Sequence, residues 1–228
     1  MKELLKNFIA LVAAITMSVI IVSCKNAKDE PANNNDGSTT TNHECVDMGL
    51  SVKWATCNIG AESPSEFGNY FAWGETTPKT KFSDNNCSTL GKLIGDISGD
   101  ATYDAAKAKW GGNWRMPTAD ECQELLDNCT FTMKTQNGVN GVNVKSQING
   151  NTIFLPLAGG YLLGDDDGTS PYAVGEYVTY WSSTPCKNES VVEYSDEELA
   201  YGFSPIEVAV GVFWVKRSSG MPIRAVCE

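Results

Sequence analysis

Only two stretches of this 228-residue chain space their apolar residues as a helix requires; the rest alternates in short runs or breaks at glycine. The first, "DATYDAAKAKW" (residues 100–110), is alanine-rich, with Asp100 as its expected N-cap and Tyr103, Ala106 and Trp110 on one stripe. The second is more sharply marked. In "RMPTADECQELLDNC" Pro117 and Thr118 open a helix, Thr118 and Glu121 stand at capping-box spacing, and Cys122, Leu125, Leu126 and Cys129 fall at i, i+3, i+4 and i+7. Those four side chains are expected in a core, with Asp120, Glu124 and Asp127 on the wetter face. At a rise of about 1.5 Å per residue the two cysteine backbones lie about 10 Å apart, too far for a mutual disulfide or a shared metal.

Around these helices the pattern is that of strands. "VDMGLSVKWATCNIG" (residues 46–60) alternates around Leu50, Val52 and Trp54, and "YFAWGE" adds a short aromatic strand and turn. "GVNGVNVKSQINGNTIFLPLAGGY" carries Asn-Gly pairs between apolar runs, which predicts a hairpin leading into a buried strand over residues 153–157. "YWSST", "VAVGVFWVK" and "MPIRAVC" close the chain around an irregular acidic segment. Two helices among many short strands make an α+β domain.

The first residues set where that domain begins. Lys2 and Lys6 precede an apolar run from about Phe8 to Val22, followed at once by Ser23 and Cys24. This is the pattern of a secretory signal, not of a membrane span. The end "IVSC" resembles the lipobox of bacterial lipoproteins, which implies processing of residues 1–23 and acylation of Cys24. Several acyl chains on one residue give stable anchoring, so the membrane is met through lipid alone. Residues 25–44 hold no large aliphatic or aromatic side chain and read, with Cys24, as a lipidated tether over residues 24–44. The early "KDE" resembles the acidic export signal of Bacteroidetes surface lipoproteins, which implies display on the cell surface, with the periplasmic side of the outer membrane as the other location. One folded domain then spans residues 45–228.

Loss of residues 1–23 takes two lysines and one glutamate from 17 basic and 28 acidic residues, leaving a formal charge of -12. Such a domain repels polyanions, which argues against nucleic acid as a partner. Seven cysteines remain beside Cys24, an odd number whose pairing spacing does not assign.

Taken in order, "VDMGLSVKWATCNIGA", "GNYFAWGET", "WGGNWRMPTADECQELLDNC", "IFLPLAGGY", "YWSST" and "IRAVC" resemble the Fibrobacter succinogenes major paralogous domain of Bacteroidetes lipoproteins, over about residues 46–227. That family is similar to the C-type-lectin-like fold shared with formylglycine-generating enzymes and the variable receptors of diversity-generating retroelements. The resemblance implies a twisted antiparallel sheet with two packed helices, neighbouring termini, and long loops that carry any ligand site. It does not carry over catalysis. Formylglycine-generating enzymes use two closely spaced cysteines near the C-terminus, and the last 40 residues here contain only Cys227.

The remaining chemistry is sparse. The sole histidine, His43, falls in the tether, which leaves the domain without a His-dependent triad or imidazole metal ligand. No P-loop or dinucleotide fingerprint is present. Glu193, Asp196, Glu197 and Glu198 offer the only reading as a hydrolase with paired carboxylates, against a solvated acidic loop. The polar loop "GDDDGTSPYAVGEY" (residues 164–177) is the expected ligand site: Asp165, Asp166, Asp167 and Glu176 supply oxygen ligands suited to calcium, and Tyr172 and Tyr177 either stack on a sugar or pin the loop to the sheet. No cofactor is expected; calcium is the minority reading, because the run is not a Ca-loop motif and three successive side chains diverge unless the loop bends sharply. Among the six tryptophans Trp73 is the one expected to be partly exposed, and Arg115 and Arg224 are expected to pair with carboxylates inside the fold. The leading expectation is a non-catalytic binding domain for a glycan or protein ligand. A structural or assembly component of the envelope is the alternative.

Overall fold

The computed structural model describes residues 43–161, 168–187, 194–206 and 209–228. Cys24, the tether up to residue 42, Asp165, Asp166, Asp167 and Glu193 lie outside the described residues. Residues from Thr41 to Glu228 form one compact unit. Its strands are β1 (Cys45–Val46), β2 (Lys53–Asn58), β3 (Cys129–Gln136), β4 (Val139–Ser146), β5 (Thr152–Pro156), β6 (Tyr180–Pro185), β7 (Leu199–Ser204), β8 (Gly211–Lys216) and β9 (Arg224–Cys227). Two α-helices, α1 (Ala105–Trp110) and α2 (Ala119–Asn128), stand between β2 and β3. The protein is thus mixed α+β, and its strand ladders are antiparallel.

Among the described residues the strands form three three-stranded sheets, ordered β1-β2-β9, β3-β4-β5 and β6-β7-β8. The first joins the two ends of the domain, because β1 and β9 flank β2, with Val46 and Val226 both opposite Trp54. Period-two alternation lets this sheet serve two cores. Trp54 and Val226 enter one with Met48, Leu125, Val144, Leu155 and Phe203, while Ala55 and Ala225 enter another with Phe71, Trp73, Met116, Trp181 and Met221. Neighbouring residues of β6 divide the same way, Tyr180 to the first core and Trp181 to the second.

Helix α2 has the capping box its sequence predicts: Thr118 Oγ1 accepts from the Glu121 N–H at 3.2 Å, and the Glu121 carboxylate accepts from the Thr118 N–H at 2.8 Å. Cys122, Leu125 and Leu126 are buried, and Cys129 ends the helix and begins β3. Glu124 does not face bulk water alone. Its carboxylate accepts from the Ser51 N–H at 3.0 Å and from the Ser51 hydroxyl at 2.5 Å, tying the approach to β2 onto α2. Helix α1 starts later than expected. Its cap is Asp104, which accepts from the Lys107, Gly99 and Met116 amides, whereas Asp100 caps the preceding turn through the Thr102 amide. A buried carboxylate with three amide partners outcompetes an exposed one for the cap.

The β3–β4 hairpin turns at Asn137-Gly138, whose φ angles of 51° and 81° suit a two-residue turn. Asn140-Gly141 is not a turn. It lies within β4, where the Phe154 ring covers Gly141 so closely that a Cβ would collide with it. The expected buried strand is present as β5, with Ile153 to Pro156 buried.

Candidate functional site

The described part of the expected ligand loop is held to the sheet by its own backbone. Tyr172 and Gly160 exchange both hydrogen bonds, at 2.8 and 3.2 Å, the Gly175 N–H donates to Leu157 O at 2.7 Å, and the Gly159 N–H donates to Tyr177 O at 2.7 Å. Gly159 and Gly160 are needed for this approach, because a Cβ on the first would strike Tyr172 O and on the second the Met221 sulfur. The "LAGGY" pair in the sequence is therefore the seat of the loop. At its apex Ala173 takes a left-handed φ of 55° and its carbonyl accepts from the Glu176 and Tyr177 amides, closing a single turn. Left-handed backbone at an alanine costs about 1–2 kcal/mol, so packing on both sides holds it.

The two tyrosines of the loop part company. Tyr172 is 41% exposed and stands beside Val174, 42% exposed, with Glu176 also in solvent. Tyr177 turns inward against the first core, its hydroxyl 2.6 Å from Thr179 Oγ1, and burial raises its phenol pKa. It pins the loop, while Tyr172 presents a ring.

A second aromatic surface, not singled out from sequence, lies on β8. Trp214 is 37% exposed, directly across from Tyr201 on β7, and its ring centroid is 6.2 Å from that of Tyr194. Lys216 Nζ sits 5.1 Å from the Tyr194 centroid and 2.6 Å from Asp84 Oδ2, and the Ser218 hydroxyl donates to Asp84 Oδ1. Partial burial raises the Asp84 pKa, but the Lys216 and Ser218 bonds outweigh it and the net shift is downward. The available signal was the alternation of "GVFWVK", which puts Trp214 on the face of Val212 and Lys216.

Several expected residues serve the scaffold. Arg115 pairs with Glu121 through two bonds of 2.8 and 2.6 Å, a fork against a helix-capping carboxylate. Among the described residues Arg224 meets no carboxylate. Fully buried, it donates to Asn58 Oδ1 and to the carbonyls of Ala55, Thr56 and Phe154, stitching β9 to β2 and β5. Burial depresses its pKa, yet a guanidinium stays protonated. Arg217 was not anticipated. Also buried, it donates to the carbonyls of Leu199, Lys92 and Asp196 and lies over the Trp73 ring, 4.4 Å from its centroid. This corrects the expectation for Trp73, which is fully buried and donates from Nε1 to Ser182 O at 3.0 Å.

His43 leaves the tether to stack on Trp110 at 3.8 Å, edge-on to Trp114, and partial burial lowers its pKa. Burial pushes the Cys122 thiol well above its usual range and Cys129 up to about 11, so neither is a thiolate at neutral pH. Asp196, Glu197 and Glu198 form a single 3-10 turn in which the Glu198 carboxylate caps the Ser195 amide. Among the described residues no group of three His, Cys, Asp or Glu side chains could hold a metal ion. Two hollows, of about 190 Å³ beside Trp114 and Arg115 and about 100 Å³ beside Cys186 and Arg217, are smaller than the roughly 300 Å³ at which small-molecule pockets begin. No protein-family model, curated protein or solved structure matches the chain.

Proposed function

We propose that this chain is a surface lipoprotein anchored through Cys24 to the bacterial outer membrane, whose C-type-lectin-like domain, of the Fibrobacter succinogenes major paralogous type, binds a glycan without catalysis. The ordered sequence blocks and the pairing of both domain ends on β2 support the fold assignment. No helix among the described residues is long and apolar enough to cross a membrane, so anchoring rests on the "IVSC" motif. Palmitate labelling should disappear in Cys24→Ala, and label that persists would sink the anchor assignment.

One observation carries the binding proposal: an exposed Tyr172 ring on a loop whose backbone is clamped on both sides. Sugar rings present apolar C–H faces that stack on aromatic side chains, with hydroxyls left to bond neighbouring polar groups. A rigid platform recruits them without ordering cost. The Trp214 and Tyr194 pair, with Lys216 and Asp84 at its edge, favours a second placement of the same function. A glycan array on wild type, Tyr172→Ala, Trp214→Ala and the triple Asp165, Asp166, Asp167→Asn variant separates these. Loss in Tyr172→Ala and in the triple variant places the ligand on the 164–177 loop; loss in Trp214→Ala alone moves it to β8. If the wild type binds no glycan, the structural or assembly role replaces recognition.

A further inference from the structure

Among the described residues strand β3 is an edge with no cover. The turn at Asn137-Gly138 makes Gln136 and Val139 a hydrogen-bonded pair, and that phase recurs at Lys134 with Gly141, Thr132 with Asn143 and Thr130 with Lys145. The alternate residues Phe131, Met133 and Thr135 therefore point their N–H and C=O groups away from β4. Among the described residues no backbone hydrogen bond reaches those groups, and β3 has no neighbour but β4.

Edges of this length are usually blunted by a bulge, a proline or repeated charge. β3 pairs continuously over eight positions, contains no proline, and carries one charge, Lys134. Its midpoint, Met133, is 56% exposed. The charge distribution says what can approach. Residues 128–164 contain no Asp or Glu and two lysines, Lys134 and Lys145, in a chain of formal charge -11. When a second copy of this acidic protein pairs along β3, no residue of β3, β4 or β5 sets a carboxylate against its counterpart.

We propose that β3 is where two copies of this chain associate, their edges pairing antiparallel about a two-fold axis at Met133. In that register Phe131 bonds the partner's Thr135, Met133 bonds the partner's Met133, and Lys134 lies across from the partner's Thr132 rather than from the partner's Lys134. The contact is self-complementary, as a two-fold interface must be, and closes both edges at once. Its small extent places it with reversible associations.

Sedimentation equilibrium of the full chain in non-ionic detergent tests this. Wild type should follow a concentration-dependent monomer–dimer equilibrium. Met133→Pro deletes an N–H that β4 does not use, and Met133→Lys sets two charges against each other on the axis. Each should weaken dimerisation by about tenfold or more, equivalent to about 1.4 kcal/mol, at unchanged melting temperature. Thr132→Pro, one position out of phase, removes a bond to β4 and should lower the melting temperature instead. If Met133→Pro fails to fold, Met133→Lys carries the test. A wild type that stays monomeric at every concentration overturns the proposal. So does a folded Met133→Lys that dimerises as wild type does, or a photo-crosslinker at position 133 that captures only a different protein.

Discussion

Replacing Arg224 by lysine keeps the charge and removes the fork, and the structure says what that costs. The guanidinium serves four acceptors: Asn58 Oδ1 and Ala55 O at 2.9 Å, Thr56 O at 2.5 Å and Phe154 O at 3.0 Å. They lie around a planar group, so one ammonium nitrogen reaches about half of them. Each hydrogen bond from a charged donor contributes about 1.5–3 kcal/mol, and a buried carbonyl left bare costs a similar amount. Arg224→Lys should therefore lose about 3–5 kcal/mol, a large part of the roughly 5–15 kcal/mol of a typical domain. Arg224→Met, which supplies no donor, should lose at least as much. Urea unfolding read by tryptophan fluorescence gives both values. Lysine adds a second signature. Full burial would hold its folded-state pKa below the unfolded one, so the unfolded chain binds more protons and stability should rise as pH increases toward the unfolded lysine value near 10.4. If both variants unfold within about 1 kcal/mol of wild type, the carbonyls find water and Arg224 does not organise the junction of the sheets.

Leu125→Asp should be the most damaging change on α2, exceeding about 4 kcal/mol because an unpaired carboxylate enters the first core, and a thermal melt shows whether a cooperative transition survives. Glu124→Ala should cost about 1–2 kcal/mol through the Ser51 bonds; no loss in a urea titration would make that contact incidental. Burial raises the Glu121 pKa, but the Arg115 and Thr118 bonds outweigh it and leave it below its usual value. Its contribution is therefore present above the unfolded carboxyl pKa of about 4.3 and lost as pH falls through the lower folded one. Asp104, raised by burial, contributes the opposite slope. Comparing acid titrations of wild type and Glu121→Gln isolates the Glu121 part, and superimposable curves would refute it. Ala173→Gly relieves the left-handed strain and adds unfolded-state freedom of about 0.5–1 kcal/mol, so the melting temperature should hold while binding at the proposed glycan site falls; unchanged binding there would mean the turn does not orient Tyr172.

Helix α2 could be read to within a residue because capping, periodicity and charge agree over one short window. The same reading missed what Glu124 does, since Ser51 is 73 positions away and no local pattern ties the two together. α1 was legible as a helix but not at its start, where Asp100 and Asp104 are equivalent in sequence and differ only in burial. The hidden half of the molecule is its long-range polar wiring. Arg217 sits in "VKRSSG" as any surface arginine would, and only the folded chain brings the carbonyls of Leu199, Lys92 and Asp196 around it. Trp73 followed the same course. Of the expected ligand residues, sequence placed Tyr172, Glu176 and Tyr177 on one loop, yet which ring faces out depends on Thr179 and the first core.

The union of β1 and β9 on β2 has a kinetic meaning. β2 precedes β9 in the chain, and its pairing with that strand is interrupted by one irregularity between Trp54 and Asn58; Arg224 reaches Ala55 across 169 positions. Until residues 224–227 emerge, Trp54 and Ala55 lack the strand that seals them into both cores. Closure of so long a loop comes late and slowly. Both cores therefore wait on one closing contact, and forming it commits them together.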